Sequence, residues 1–217
     1  MRGALKVPGG VTGLLPASPA WKGGELHMRQ MRLVMQAVPL LISVLIGFSS
    51  YTAYGAEAIS CGMNIPEFTL NAPDSEKARQ YLGLKNVKSF CISEVPAKLV
   101  LLELYSLYCT ACQRQAPIAN KLYKFIRQDP DLSQDIRMIG IGAGNNQREV
   151  VAYKTRFRVP FPLFPDSHFQ IHKKFGEPRT PFTVLVTNSG KVLMTHSGIV
   201  KDLDKFLSEI RKVHKQQ

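Results

Sequence analysis

The sequence predicts an α/β fold, a central mixed β-sheet flanked by helices. Three observations predict it. From Ala97 onward, apolar runs of strand length alternate with segments of helical period. The chain closes on two strand-like runs about Asn188-Ser189-Gly190, followed by an amphipathic stretch. A C-x-x-C pair, Cys109 and Cys112, stands where the first long apolar run turns into a helix.

The elements follow in order. "KLVLLELYS" (98–106) is nearly all apolar, as expected of a strand covered on both faces. Helical periodicity continues through "CQRQAPIANKLYKFIRQ" (112–128), and Pro117 inside it predicts a kink. "IRMIGIGAG" (136–144) is a second buried strand ending in glycines, and "NNQREVVAYKTRF" (145–157) is a helix opened by Asn. "FPLFPD" (161–166) is a short extended piece, and "SHFQIHKKFG" (167–176) is a helix stopped by Gly176. Residues 181–198 form a β-hairpin, and apolar residues at 200, 203, 206, 207 and 210 define the closing helix. Strands separated by helices imply right-handed crossovers, and the hairpin supplies the antiparallel part of the sheet.

Residues 59–96 read as an N-terminal extension of the domain, and 97–217 as its core. In the extension, "EFTLNA" (67–72) alternates as a strand does. Asp74 caps a short helix in "SEKARQYLGL" (75–84), and "SFCISEV" (89–95) is a strand halted by Pro96.

The segment before it is an address. Arg29 and Arg32 precede an apolar stretch from Leu33 to Phe48. Small residues at Ala53-Tyr54-Gly55 and Ala56-Glu57-Ala58 offer cleavage sites. Residues 28–58 are therefore a signal peptide, or an anchor if uncleaved. The stretch is short for a membrane span and is interrupted by Gln36 and Pro39. Residues 1–27, rich in Gly and Pro, read as a misassigned start ahead of Met28 or Met31. The expected compartment is periplasmic or otherwise extracytoplasmic.

The whole chain carries 28 basic and 16 acidic residues, a net charge of +12; removal of residues 1–58 takes away five basic and two acidic residues and leaves +9. The cations are scattered, without a dense Arg/Lys run or an aromatic-basic repeat, which argues for a solvated basic surface and against a nucleic-acid module.

Zinc fits the cysteines poorly. A structural site needs four ligands, and the chain has one C-x-x-C and a distant His168/His172 pair. A structural bridge over two residues would constrain little chain entropy. Redox exchange fits the placement. A sulfur at a helix N-terminus faces free N–H groups and partial positive charge, which stabilises its thiolate. Cys109 is then the attacking thiol, and Cys112, one turn further in, resolves the mixed disulfide. Glu103, six residues before Cys109 in the apolar "LLELY", is costly to bury as a charge. It is either a buried acid of raised pKa or an edge-strand residue facing water.

Strand, C-x-x-C, proline-bearing helix and the Thr180-Pro181 step opening the hairpin together resemble the thioredoxin fold over about residues 65–214. The phrases "PEFTL" and "VPFPLFPD", the N-terminal extension and an extra helix-strand insert are similar to the TlpA/ResA-like group of exported thioredoxins. The resemblance implies an exported thiol-disulfide oxidoreductase exchanging the Cys109–Cys112 dithiol with protein disulfides. It implies a reductase of the cytochrome c maturation type acting on apocytochrome c, recharged by a transmembrane thiol donor and needing no cofactor. It implies membrane contact only through an uncleaved N-terminal segment. It further implies that Pro181 is cis and lies beside the cysteines. Thr180 would offer backbone hydrogen bonds to substrate, with Tyr108, Thr110 and Ala111 flanking the bound strand. Glu103 would exchange the proton of Cys112.

Two departures bear on direction. Tyr108 replaces the usual Trp, and Thr110-Ala111 lacks both the proline of strong reductants and the histidine of strong oxidants. The remaining thiols, Cys61 and Cys91, would pin the extension to the domain as a second disulfide, or Cys91 is a lone buried thiol. His196 and His214 read as surface residues. Two other functions compete. A peroxidase of the peroxiredoxin class needs P-x-x-x-T-x-x-C, but Leu102 and Ser106 stand at its Pro and Thr positions. A copper-delivery module resembles C-x-x-x-C with a histidine near the hairpin, one residue longer than the spacing here.

Overall fold

The computed structural model describes residues 58–217. The expectations for 1–27 and for the address in 28–58 lie outside these residues, Ala58 aside. Among the described residues no helix is long and apolar enough to cross a membrane.

The element order is β1 (Thr69–Asn71), α1 (Glu76–Leu82), β2 (Ser89–Cys91), β3 (Leu99–Tyr105), α2 (Thr110–Gln128) and α3 (Pro130–Asp135). Then come β4 (Ile136–Ala143), α4 (Gln147–Phe157), β5 (Leu163–Asp166), α5 (Gln170–Lys174), β6 (Phe182–Thr187), β7 (Val192–Ser197) and α6 (Leu203–His214). Five strands form one mixed sheet in the order β5-β4-β3-β6-β7. β3 runs parallel to β4, and β4 to β5; β6 and β7 are antiparallel to their neighbours. This is the expected thioredoxin-like arrangement.

All seven residues of β3 are buried, because the strand is central and both its faces are covered. Alternation along it sorts the core into two layers. Leu99, Leu101 and Tyr105 pack with Cys112, Ala116, Leu122 and Ile126 of α2 and with α6, while Val100, Leu102 and Leu104 face the other way. There the cover is the extension itself: Phe68, Leu70, Leu82, Phe90 and Val95 join Ile171 and Phe175 around those side chains. The extension also lines β7, through Gly62 N–H to Val192 C=O at 2.9 Å and Ile65 N–H to Gly190 C=O at 2.8 Å.

Local chemistry shifts several boundaries. Ser75 rather than Asp74 caps α1, its hydroxyl accepting from Ala78 N–H. The strand expected over 89–95 ends at Cys91, where Glu94 reaches back to the Cys91 N–H at 2.7 Å and turns the chain into a short 3₁₀ segment. α2 runs through Pro117 as one helix. α3 was not expected; its signals are an Asp129 cap with Pro130 in the first turn.

Candidate active site

α2 begins at the C-terminal end of the central strand, so its first turn opens where the sheet ends. Cys109 is the N-cap of α2, and its sulfur takes the place of a capping oxygen: the Cys112 N–H donates to Cys109 Sγ at 3.2 Å. The Cys109 thiol donates to the Thr180 carbonyl at 3.3 Å, and the Thr180–Pro181 peptide bond is cis. Cys109 is half-buried, Cys112 is fully buried, and all four cysteines are free thiols.

The two thiols are electrostatically unlike. Desolvation opposes the Cys109 thiolate, but hydrogen bonds involving Cys112 and Thr180 and the N–H groups of Cys112 and Ala111 outweigh it, and its pKa falls below the ordinary value. Burial, and then the hydrogen bond with Cys109, push the Cys112 thiol up to about 12. One sulfur is ready to attack; the other keeps its proton until something removes it.

Glu103 resolves to the buried-acid alternative. It sits on the central strand between Gly140 and Thr183, on the Cys112 side of the sheet, and is 6% exposed. Desolvation raises its pKa to about 7, and its Oε1 has no partner among the described residues. The Tyr105 hydroxyl is likewise buried and unpartnered. Charges on Glu103 and Cys112 both act on Tyr105 and on Tyr153. Tyr153 O–H donates to the Cys112 carbonyl at 2.9 Å.

The residues flanking the cysteines divide. Tyr108 is 70% exposed, and its O–H donates to Glu149 of α4. Thr110 is exposed in the first turn of α2, and Ala111 is half-buried behind it. Cys61 and Cys91 are not joined. The Cys61 thiol donates to the Leu193 carbonyl at 3.2 Å on the edge of β7, whereas Cys91 lies 3.7 Å from Thr69 Oγ1 across the β1–β2 pair. In this structure both are free thiols with separate contacts, so the second bridge is not formed here and Cys91 stands alone. His214 and His196 are half-buried rather than on the surface. His214 Nε2 is 2.7 Å from Asp135 Oδ2, and His196 packs against Phe206 with its Nε2 unpartnered. Of the two histidines of the H-x-x-x-H pattern, His168 is exposed and His172 Nε2 is 2.8 Å from the Pro178 carbonyl.

One site residue escaped the sequence reading. Asn145 is fully buried after β4; its Oδ1 accepts the Leu107 N–H at 2.8 Å, while Gln113 donates to the Leu107 carbonyl at 2.8 Å. Together they hold the loop that delivers Cys109. Its only sequence signal is a polar residue just after a glycine-ended buried strand. Asn145→Ala would leave the Leu107 N–H without its partner, at a cost of ~1–3 kcal/mol. We expect the thermal midpoint to fall by ~2–4 °C per kcal/mol lost, followed by calorimetry.

No family model matches the chain. Curated relatives do. The thiol-disulfide oxidoreductase ResA of Geobacillus thermodenitrificans is 25% identical over 188 residues, 84% of this chain and 98% of that protein. The ResA of Bacillus subtilis is 23% identical, covering 80% and 89%. Among solved structures, the thioredoxin domain of a Bacteroides vulgatus thiol-disulfide oxidoreductase aligns with a TM-score of 0.53 at 13% identity, over 71% of this chain and 98% of that one. StoA from Bacillus subtilis aligns at 0.51 and 14%, over 67% and 97%. With this sheet order, the chain has a thioredoxin-like fold and is similar, over nearly the full length of those relatives, to thiol-disulfide oxidoreductases of the ResA type.

Proposed function

We propose that this chain works outside the cytoplasm as a reductase of protein disulfides, with the Cys109–Cys112 dithiol as its electron carrier. It is a thiol-disulfide oxidoreductase. The observation that carries the reading is the asymmetry of the pair: a half-buried Cys109 of lowered pKa beside the Thr180–Pro181 loop, backed by a buried Cys112 pushed up to about 12.

The Cys109 thiolate attacks one sulfur of a substrate disulfide and forms a mixed disulfide, releasing the other sulfur as a thiolate. Glu103 takes the proton of Cys112. The Cys112 sulfur then attacks Cys109 Sγ, the Cys109–Cys112 bond closes, and the second substrate sulfur leaves as a thiol. The substrate gains two electrons and the protein loses two. A membrane dithiol donor restores the reduced pair. The Thr180 backbone, beside Cys109 and above the buried Pro181, would meet the substrate chain, with Tyr108, Thr110 and Ala111 near it. Substrates of the apocytochrome c type fit this reading, which draws its direction from the resemblance to the TlpA/ResA-like group.

Two measurements test it. Iodoacetamide alkylation of the reduced protein should give a Cys109 midpoint below the ordinary thiol value of ~8.5. The dithiol potential should lie at or below about −270 mV; one near −120 mV would make the protein an oxidant.

A further inference from the structure

The extension leaves a cleft where α1 meets α2 and α4, and no residue of the dithiol centre lines it. It consists of two adjoining cavities, of 570 and 380 Å³, which share Ser75, Ala78, Lys154 and Pro162. Both volumes fall in the range of small-molecule sites.

The two compartments differ in chemistry. The larger holds three charged residues, Lys77, Arg127 and Lys154, all cations, and no carboxylate lines it. Among the described residues none of the three is in an ion pair. Lys154 donates only to the Phe161 carbonyl at 3.2 Å, and Arg127 donates to the Ser133 carbonyl and lies over the Tyr81 ring. Burial lowers the pKa of Lys154, as expected of an amine desolvated without a counter-charge. The smaller compartment is walled by Pro73, Val150, Leu163, Pro165 and Val151, the last of these 52% exposed; its one acid is Asp74.

We propose that this cleft binds an amphiphilic anion, its phosphate or carboxylate head among Lys77, Arg127 and Lys154 and its apolar body along Val151 and the prolines. Three cations line one cavity without a carboxylate among its walls, and a bound oxyanion would offset their mutual repulsion with charge-assisted hydrogen bonds. The exposed valine and the prolines gain by covering the apolar end. The site uses no group of the dithiol centre, so its occupancy and disulfide exchange are separate measurements.

The ligand chemistry has two sources, an anionic membrane lipid and a soluble amphiphile. Titration calorimetry of the full-length protein with monomeric dihexanoylphosphatidylglycerol is expected to show saturable binding. Dihexanoylphosphatidylcholine should bind at least ~10-fold more weakly, and so should the glycerol lipid to Lys154→Met, the loss that removal of one charge-assisted contact gives. Lys77→Ala, at an exposed position of α1, supplies the same comparison should Lys154→Met fold poorly. Sedimentation with phosphatidylglycerol vesicles separates the sources. Vesicle binding that needs Lys154 assigns a membrane lipid; vesicle binding indifferent to Lys154, with monomer binding still dependent on it, assigns a soluble amphiphile. Absence of monomer binding, equal affinity for the choline lipid, or equal affinity in both lysine variants overturns the proposal.

Discussion

Cys112→Ser is expected to halt turnover and to leave the protein covalently attached to its substrate through Cys109. Cys109 keeps the Cys112 and Ala111 backbone N–H groups, and a serine hydroxyl can still donate to it, so attack on a substrate disulfide proceeds. Resolution has lost its sulfur, and a serine hydroxyl cannot displace a thiolate from a disulfide. Steady-state reduction of a protein disulfide should fall by ~10³-fold or more, the scale on which losing one member of a catalytic unit acts. A band at the summed mass on a non-reducing gel, collapsed by dithiothreitol, reads the trapped species directly. Cys109→Ser should trap nothing, because Cys112 is fully buried and its thiol is held up to about 12. The substitution is mild for folding: the Tyr153 hydrogen bond goes to the Cys112 backbone, not its side chain. Turnover surviving in Cys112→Ser, or a trap forming in Cys109→Ser, would reverse the roles assigned to the two sulfurs.

That assignment was already legible in the sequence, and so was the sheet it hangs on. The runs at 99–105 and 136–143 are short, nearly all apolar and bounded by turn signals, which fits covered strands, and the join to α2 places Cys109 at a helix start. Glu103 was legible for the opposite reason, as the one costly residue in such a run. What the sequence withheld depends on contacts between distant segments. Asn145 meets Leu107 across 38 residues, and Tyr153 meets the Cys112 carbonyl across 41. A polar side chain that satisfies a buried backbone group looks in sequence like any surface residue. His214 was misread on the same ground: its partner, Asp135, lies 79 residues away. In sequence the extension reads as an entry to the domain, with strands expected over 67–72 and 89–95 that are three residues long in the structure. It is instead the cover for one face of the sheet, since Val100, Leu102 and Leu104 have to be buried against something.

Replacing Glu103 should separate a proton-transfer role from a packing role, because the two respond oppositely to pH. A carboxyl titrating near 7 is the ionised acceptor above neutrality and the protonated donor below it. In the wild type, resolution of the mixed disulfide should therefore accelerate as pH rises through about 7. Glu103→Gln keeps the shape and removes the acid, so it should slow resolution by ~10²-fold and erase that inflection. The attack by Cys109 should continue at nearly its own rate. Stopped-flow mixing of the reduced protein with a chromophoric disulfide separates the two steps. Stability moves the other way. The folded pKa lies above the unfolded value of 4.5, so ionisation is penalised in the fold. The penalty is absent below pH 4.5, grows between 4.5 and about 7, and is complete above that, where it amounts to about 3 kcal/mol. Glu103→Leu should accordingly match or exceed the wild type in urea stability at pH 8 and lose most of that advantage at pH 4. A variant more stable at alkaline pH and yet slow in resolution identifies a carboxyl retained for chemistry against its own cost to the fold. Unchanged resolution in Glu103→Gln would mean that Cys112 gives its proton to another acceptor, such as solvent, and would remove Glu103 from the mechanism.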